Sequence, residues 1–269
     1  MKVAFFGGTF DPVHRGHLAV ARAAADRFGL DRIYFAPADI PPHKQKRRLT
    51  DFQHRFAMLA LATADDPRFV PSLLDANIGQ PNYSIHTVRR LKSTLKKTDK
   101  LYFLIGMDAF KDIATWRQPE DLLAECDFIV ASRPGFALNH VYRALPQSLQ
   151  PSAALFSGRK LRSLHGPRSG HGIGRSQKNG HVALPGVMVH LLPDLHERVS
   201  STQIRAAARK SVKQLSRLVP APVAEYIRKE RLYVSQSAAP EKETGHPGKV
   251  LSLNRGAPLN QGAPRGRRS

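Results

Sequence analysis

Over its first 133 residues the chain alternates between short apolar runs and amphipathic stretches. Runs at 2–6 (KVAFF), 32–37 (RIYFAP), 68–73 (RFVPSL), 100–106 (KLYFLIG) and 127–135 (DFIVASRPG) have the length and content of buried strands. Between them the spacing predicts four helices. One runs through HLAVARAAADRFG and ends at Gly29, and its start is expected near Gly16 or His17. The second runs through FQHRFAMLALATA, opened by a capping box of Thr50 and Gln53. The third covers 84–97 with basic residues near its end, where they suit the helix dipole, and the fourth covers 119–125. A strand at 186–193 and helices at 200–210 and 222–233 complete the pattern.

Strands alternating with helices predict an α/β fold: a Rossmann-like, doubly wound, mainly parallel sheet with helices on both faces and a small C-terminal helical part. Ligands bind such sheets at the carboxyl ends of the strands. GGTFDPVHRGH follows the first strand, APADIPPHK the second and GMDAF the fourth, so the three are expected on one rim. Between 158 and 180 the pattern gives way to Gly, Arg and Ser, which reads as a flexible basic insertion. The expected organisation is one domain over 1–234 and a disordered basic tail over 235–269.

With 269 residues, 41% of them apolar, the chain can bury a sizeable core. No apolar run approaches the roughly 18 residues of a membrane span. One cysteine, Cys126, excludes an internal disulfide framework and fits a reducing compartment, so a soluble cytoplasmic protein is expected. The net charge of +21 points to a polyanionic partner, either nucleic acid or phosphorylated small molecules. The insertion and the tail hold ten of those 21 charges. No aromatic residue lies between Gly158 and Gly180, so the insertion lacks the stacking surface of a single-strand binder. Nucleic-acid binding is therefore the lesser reading, and a homo-oligomer is left open.

The candidate chemistry begins at Gly7 and Gly8, which let backbone approach a ligand closely at the end of the first strand. His14 and His17 follow where a helix begins. Such a pair can bind metal, act as acid and base, hold an anion or cap the helix. No Cys or further His/Glu cluster stands nearby to complete a protein metal site. Helix N–H groups beside two imidazoles suit a phosphate.

In context, GGTFDPVHRGHL resembles the H-x-G-H signature of the nucleotidyltransferase superfamily. It departs from those members that carry Thr where His14 stands. VSSTQIR (199–205), roughly 185 residues further on, resembles that superfamily's second signature. PADIPPHK, NYSIHTVRRL and GMDAFKDIATWRQPEDLL are similar to segments of the nicotinate mononucleotide adenylyltransferases. The resemblance spans roughly 1–135 and 186–233.

It implies transfer of AMP from ATP to the 5′-phosphate of nicotinate mononucleotide, with Mg²⁺ held mainly by the triphosphate. His14, His17 and Arg205 would be catalytic. ATP would meet Gly7, Gly8, Thr9, Phe10, His14, His17, Gly106, Asp108, Ser200, Ser201, Thr202 and Arg205. The mononucleotide would meet Asp11, His43, Lys44, Tyr83, Thr87 and Trp116, with Thr87 and Trp116 at the nicotinate ring through backbone amides and stacking. Plain alternatives exist: an ordinary N-cap for SSTQIR and Asp108, core packing for Tyr83 and Trp116, a solvated basic loop for Lys44. The competing activities are sister adenylyltransferases acting on nicotinamide mononucleotide or pantetheine phosphate. PPHK, GMD and TW argue against the latter.

Overall fold

A computed structural model describes residues 1–42, 49–76, 79–132, 138–150, 181–184, 187–192, 199–209 and 212–234. Residues 1–234 form one compact unit. The basic insertion, the tail, and His43 and Lys44 lie outside the described residues.

Seven strands form one sheet: β1 (Lys2–Gly8), β2 (Arg32–Pro37), β3 (Phe69–Pro71), β4 (Lys100–Gly106), β5 (Asp127–Ala131), β6 (His181–Leu184) and β7 (Val187–Leu192). Their order is β3-β2-β1-β4-β5-β7-β6. Six run parallel, and β6 pairs antiparallel with β7 at the edge. Strand order reverses at β1, which lies between β2 and β4, so the crevice at its carboxyl end is the topological switch point where such sheets take ligands.

Nine α-helices are present among the described residues. They are α1 (Arg15–Phe28), α2 (Phe52–Thr63), α3 (Ser84–Ser93), α4 (Met107–Phe110), α5 (Pro119–Glu125), α6 (Leu138–Ala144), α7 (Ser201–Ala208), α8 (Val212–Leu218) and α9 (Ala221–Lys229). Successive β1 side chains feed two separate cores, as strand geometry requires. Ala4 and Phe6 pack with α1, α2 and the C-terminal helices; Val3 and Phe5 pack with α3 and α5. Burial on both faces explains why β1 reads as an unbroken apolar run.

Several expectations are corrected. α1 starts at Arg15 because His14 itself is the N-cap. The Thr50–Gln53 capping box is absent: the N-cap of α2 is Asp51, with no side-chain cap bond. The Thr50 carbonyl instead accepts from Arg55 Nε at 2.8 Å. α3 stops at Ser93, and Thr94 folds back to donate to the Leu91 carbonyl at 2.7 Å. The strand expected over 127–135 ends at Ala131, and that over 68–73 shrinks to three residues. β6, α6 and α8 were not expected.

Candidate active site

At the end of β1 the chain makes a tight loop into α1. Phe10 adopts a left-handed backbone (φ 46°), unusual for a bulky residue, and its buried ring lies 5.0 Å from the His17 ring. The two histidines then cap the helix reciprocally. His17 N–H donates to His14 Nδ1 at 3.3 Å, and His14 N–H donates to His17 Nδ1 at 3.2 Å. The rings stack at 3.6 Å between centroids. A ring whose Nδ1 accepts must, when neutral, carry its proton on Nε2, so both imidazoles are assigned as Nε2–H donors. Burial pushes the His14 imidazole down from 6.5 to about 4, which keeps it neutral at pH 7. The helix-cap reading and the ligand reading of this pair are therefore compatible: one nitrogen of each ring serves the cap and the other carries a donor.

The second signature meets the first. Ser200 caps α7 through its own reciprocal box with Gln203. Ser201 Oγ donates to the Pro12 carbonyl at 3.2 Å, and Arg205 Nη1 donates to the Asp11 carbonyl at 2.7 Å. Residues almost 200 positions apart thus share one lip of the sheet. Arg205 Nη2 also donates to Thr202 Oγ1 at 3.0 Å.

Two cavities open at this rim, on opposite faces of the sheet, and both are lined by Gly7 and Gly106. The smaller, about 270 Å³, lies on the α1 face and is lined by His14, His17, Asp108 and Ser132 among others. The larger, about 540 Å³, lies on the α3 face and is largely apolar and aromatic, with Phe5, Tyr83, Phe103, Trp116 and Arg117 on its walls. Gly106 faces open space, since a Cβ there would meet nothing within 4 Å. A Cβ on Gly7 would approach the Phe5 ring to 2.7 Å.

Most sequence-predicted residues are at this rim, but their grouping differs from expectation. Gly8 and Thr9, expected on the ATP side, line the larger cavity, and Phe10 is buried beneath the loop. Tyr83 and Trp116 do line the larger cavity. Asp108 sits on the single-turn α4, exposed, 3.8 Å from Lys111 Nζ. Asp11 lines neither cavity: its carboxylate accepts from the Tyr233 hydroxyl at 2.7 Å, and it is buried. Burial and the Asp11 charge raise the Tyr233 hydroxyl well above the usual phenol range.

Thr87 is also turned away from the cavity. Its hydroxyl donates to Asp75 at 2.6 Å, and its N–H is committed to the Tyr83 carbonyl at 3.3 Å. It supports the wall by holding Asp75, which is itself part of the lining. Ser200, Ser201, Thr202 and Arg205 do not line the smaller cavity, whereas Val199, just before them, does.

Sequence reasoning missed three structural supports. Arg55 is 1% exposed and donates to the carbonyls of Thr9 (3.0 Å), Ala38 (2.7 Å) and Thr50, clasping the loops after β1 and β2. Burial lowers its pKa, opposed by the charges of Asp11 and Asp39. Asn82 accepts from Ile40 N–H at 2.6 Å and donates to the Asp75 carbonyl at 3.0 Å. Asp75 is bound by Arg90 at 2.9 Å, yet burial raises its carboxyl pKa. Arg55 on α2, and Asp75 and Asn82 in the segment before α3, carried no local sign of these roles, because most of their partners are backbone groups or side chains from other segments.

Among the described residues there is no group of three or more His, Cys, Asp or Glu that could hold a metal ion. Nor is any helix long and apolar enough to cross a membrane.

Comparison with known proteins agrees with this geometry. The cytidylyltransferase-like family profile matches residues 5–207. A probable nicotinate-nucleotide adenylyltransferase of Geobacter metallireducens is 34% identical over 233 residues, 87% of this chain and 98% of the relative. The chain belongs to the nicotinate-nucleotide adenylyltransferase family. A second family member, from Citrifermentans bemidjiense, is 36% identical over 87% of this chain and 99% of its own length. The fold is shared with the Plasmodium falciparum nicotinic acid mononucleotide adenylyltransferase complexed with NaAD. That structure has a TM-score of 0.61 at 17% identity, covering 86% of this chain and 97% of that one.

Proposed function

We propose that the chain transfers AMP from ATP to the 5′-phosphate of nicotinate mononucleotide, giving nicotinate adenine dinucleotide and pyrophosphate. The observation that carries this reading is the pair of cavities joined at Gly7 and Gly106, one with imidazole donors and one with aromatic walls. The triphosphate belongs beside His14, His17 and the N-terminus of α1, and the pyridine nucleotide belongs against Trp116 and Tyr83. An oxygen of the mononucleotide phosphate attacks the α-phosphorus of ATP. The bond to the β-phosphate oxygen breaks, and pyrophosphate leaves. The nucleophile is already an anion, so no general base is required and no covalent enzyme intermediate forms. The chain's work is positioning and charge stabilisation.

The Nε2–H donors of His14 and His17 serve the transferring and leaving phosphates. Arg205 adds positive charge one turn into α7 and fixes the loop through Asp11. Asp108, beside Gly106, is placed to accept from a ribose hydroxyl. The residues fit a Mg²⁺ that arrives on the triphosphate, because Asp108 is the one carboxylate among the smaller cavity's lining residues. Bound there, the ion would neutralise phosphate charge. The lone, buried Cys126 suits a reducing, cytoplasmic setting.

The test is pyrophosphate release from ATP in the presence of nicotinate mononucleotide, with nicotinamide mononucleotide and pantetheine phosphate as alternatives. We expect dinucleotide and pyrophosphate in equal amounts, fastest with the nicotinate substrate. Faster turnover of the amide would reassign the specificity, and no release with any acceptor would overturn the activity.

A further inference from the structure

Ser132 follows the last residue of β5 and extends the sheet rim, its N–H donating to the Leu192 carbonyl at 2.9 Å. It is 2% exposed. Its hydroxyl has no hydrogen-bond partner among the described residues. Leaving a buried hydroxyl unpaired costs about 1–3 kcal/mol, so such a group calls for an explanation. Ser132 also lines the smaller cavity, where Ala19, Val20, Met107, Ala131 and Val199 make the adjoining walls apolar.

The register fixes how far this hydroxyl is from the phosphate end. Gly106 of β4 pairs with Ala131 of β5, and β4 is the neighbour of β1. Strands lie about 4.8 Å apart, so Ser132 is about 10 Å across the rim from the β1 loop. A nucleotide with its phosphates at His14 and His17 and its ribose at Gly106 and Asp108 would bring its base to the end of β5. An apolar slot with one polar atom suits a flat heterocycle with polar edge atoms.

We propose that the Ser132 hydroxyl is a binding contact for the purine base of the nucleoside triphosphate, satisfied by one polar atom of the base edge. This rests on the adenylyl-transfer reading. The hydroxyl can donate to a ring nitrogen or accept from the 6-amino group, so it contributes affinity whichever atom it meets.

The test compares wild type with Ser132→Ala on ATP, on purine riboside triphosphate lacking the 6-amino group, and on 1-deaza-, 3-deaza- and 7-deaza-ATP. We expect Ser132→Ala to raise KM for ATP about tenfold, leave KM for the mononucleotide unchanged and leave Tm unlowered. One analogue should bind worse than ATP to wild type and equally to the variant. An unchanged KM for ATP, a lowered Tm without a selective KM effect, or equal analogue losses in both proteins would overturn the assignment. Wild-type turnover of ATP is the internal control: its absence would fault the activity, and its presence with a normal variant would fault Ser132 alone.

Discussion

α1 and α7 begin with the same device and use it differently. Each N-cap side chain accepts from the N3 backbone while the N3 side chain accepts from the N-cap backbone. At α7 the pair is Ser200 and Gln203, and the Ser200 hydroxyl also reaches Gln203 Oε1 at 3.3 Å, so the cap closes on itself at an exposed surface. At α1 the pair is His14 and His17, and each ring keeps an N–H on the edge remote from the cap. A capping box built of imidazoles both stabilises the helix end and delivers donors to the cavity. Built of serine and glutamine, it stabilises the helix end, while the next turn supplies Ser201 and Arg205 to brace the facing loop. On the proposed function, one helix start works on the ligand, and the other holds the first in place.

Exchanging the caps breaks this comparison most sharply. His17→Gln restores the N3 side chain found at α7 but removes the imidazole donor. We expect kcat to fall by about 10³-fold with Tm close to wild type, since loss of one oriented donor costs about that much. Near-normal turnover would return His17 to a purely structural role. Arg205→Met removes the bond to the Asp11 carbonyl, and a loop displaced by even 1 Å should cost about 10²-fold in kcat/KM. A change confined to Tm would separate α7 from the chemistry. Ser200→Ala should lower stability by about 1 kcal/mol, as for other lost caps, and change turnover by no more than about threefold. A larger loss of activity would show that Ser200 contacts phosphate directly.

The effect expected to leave turnover least touched concerns pH and acts on stability. The folded His14 resists protonation until about pH 4, whereas the unfolded chain takes up that proton near 6.5. Between these values the unfolded state binds more protons, so stability falls as pH falls through the window, by about 1–3 kcal/mol. Denaturation midpoints across pH 4–7 should show this slope in wild type and lose most of it in His14→Ser. An equal slope in both would place the titration elsewhere.

Local signals in the sequence were the ones that could be read. The alternation of strand and helix gave the sheet, and the spacing of His14 and His17 marked the lip, because both depend on neighbours within a few residues. The tautomers of the two rings did not show, since each depends on which nitrogen meets a backbone N–H. Arg55 looked like an ordinary helix residue because its partners come from three segments. Thr87 shares a helix face with Tyr83 and Ser84, which is why it read as a cavity residue; its hydroxyl is instead held by Asp75 from another segment, which stands between it and the cavity and leaves it fully buried. β6 escaped notice because it is only four residues long and abuts the basic insertion, too short a run to read as a strand even though its partner at 186–193 was expected.

The most direct test of the imidazole cap is nitrogen-15 NMR of the His14 and His17 rings near pH 7, with and without a non-hydrolysable ATP analogue. We expect both rings neutral and protonated on Nε2 in the free protein, with both Nε2 signals shifting when the analogue binds. Rings protonated on Nδ1, or Nε2 signals indifferent to the analogue, would contradict the assignment of this helix start as the phosphate grip.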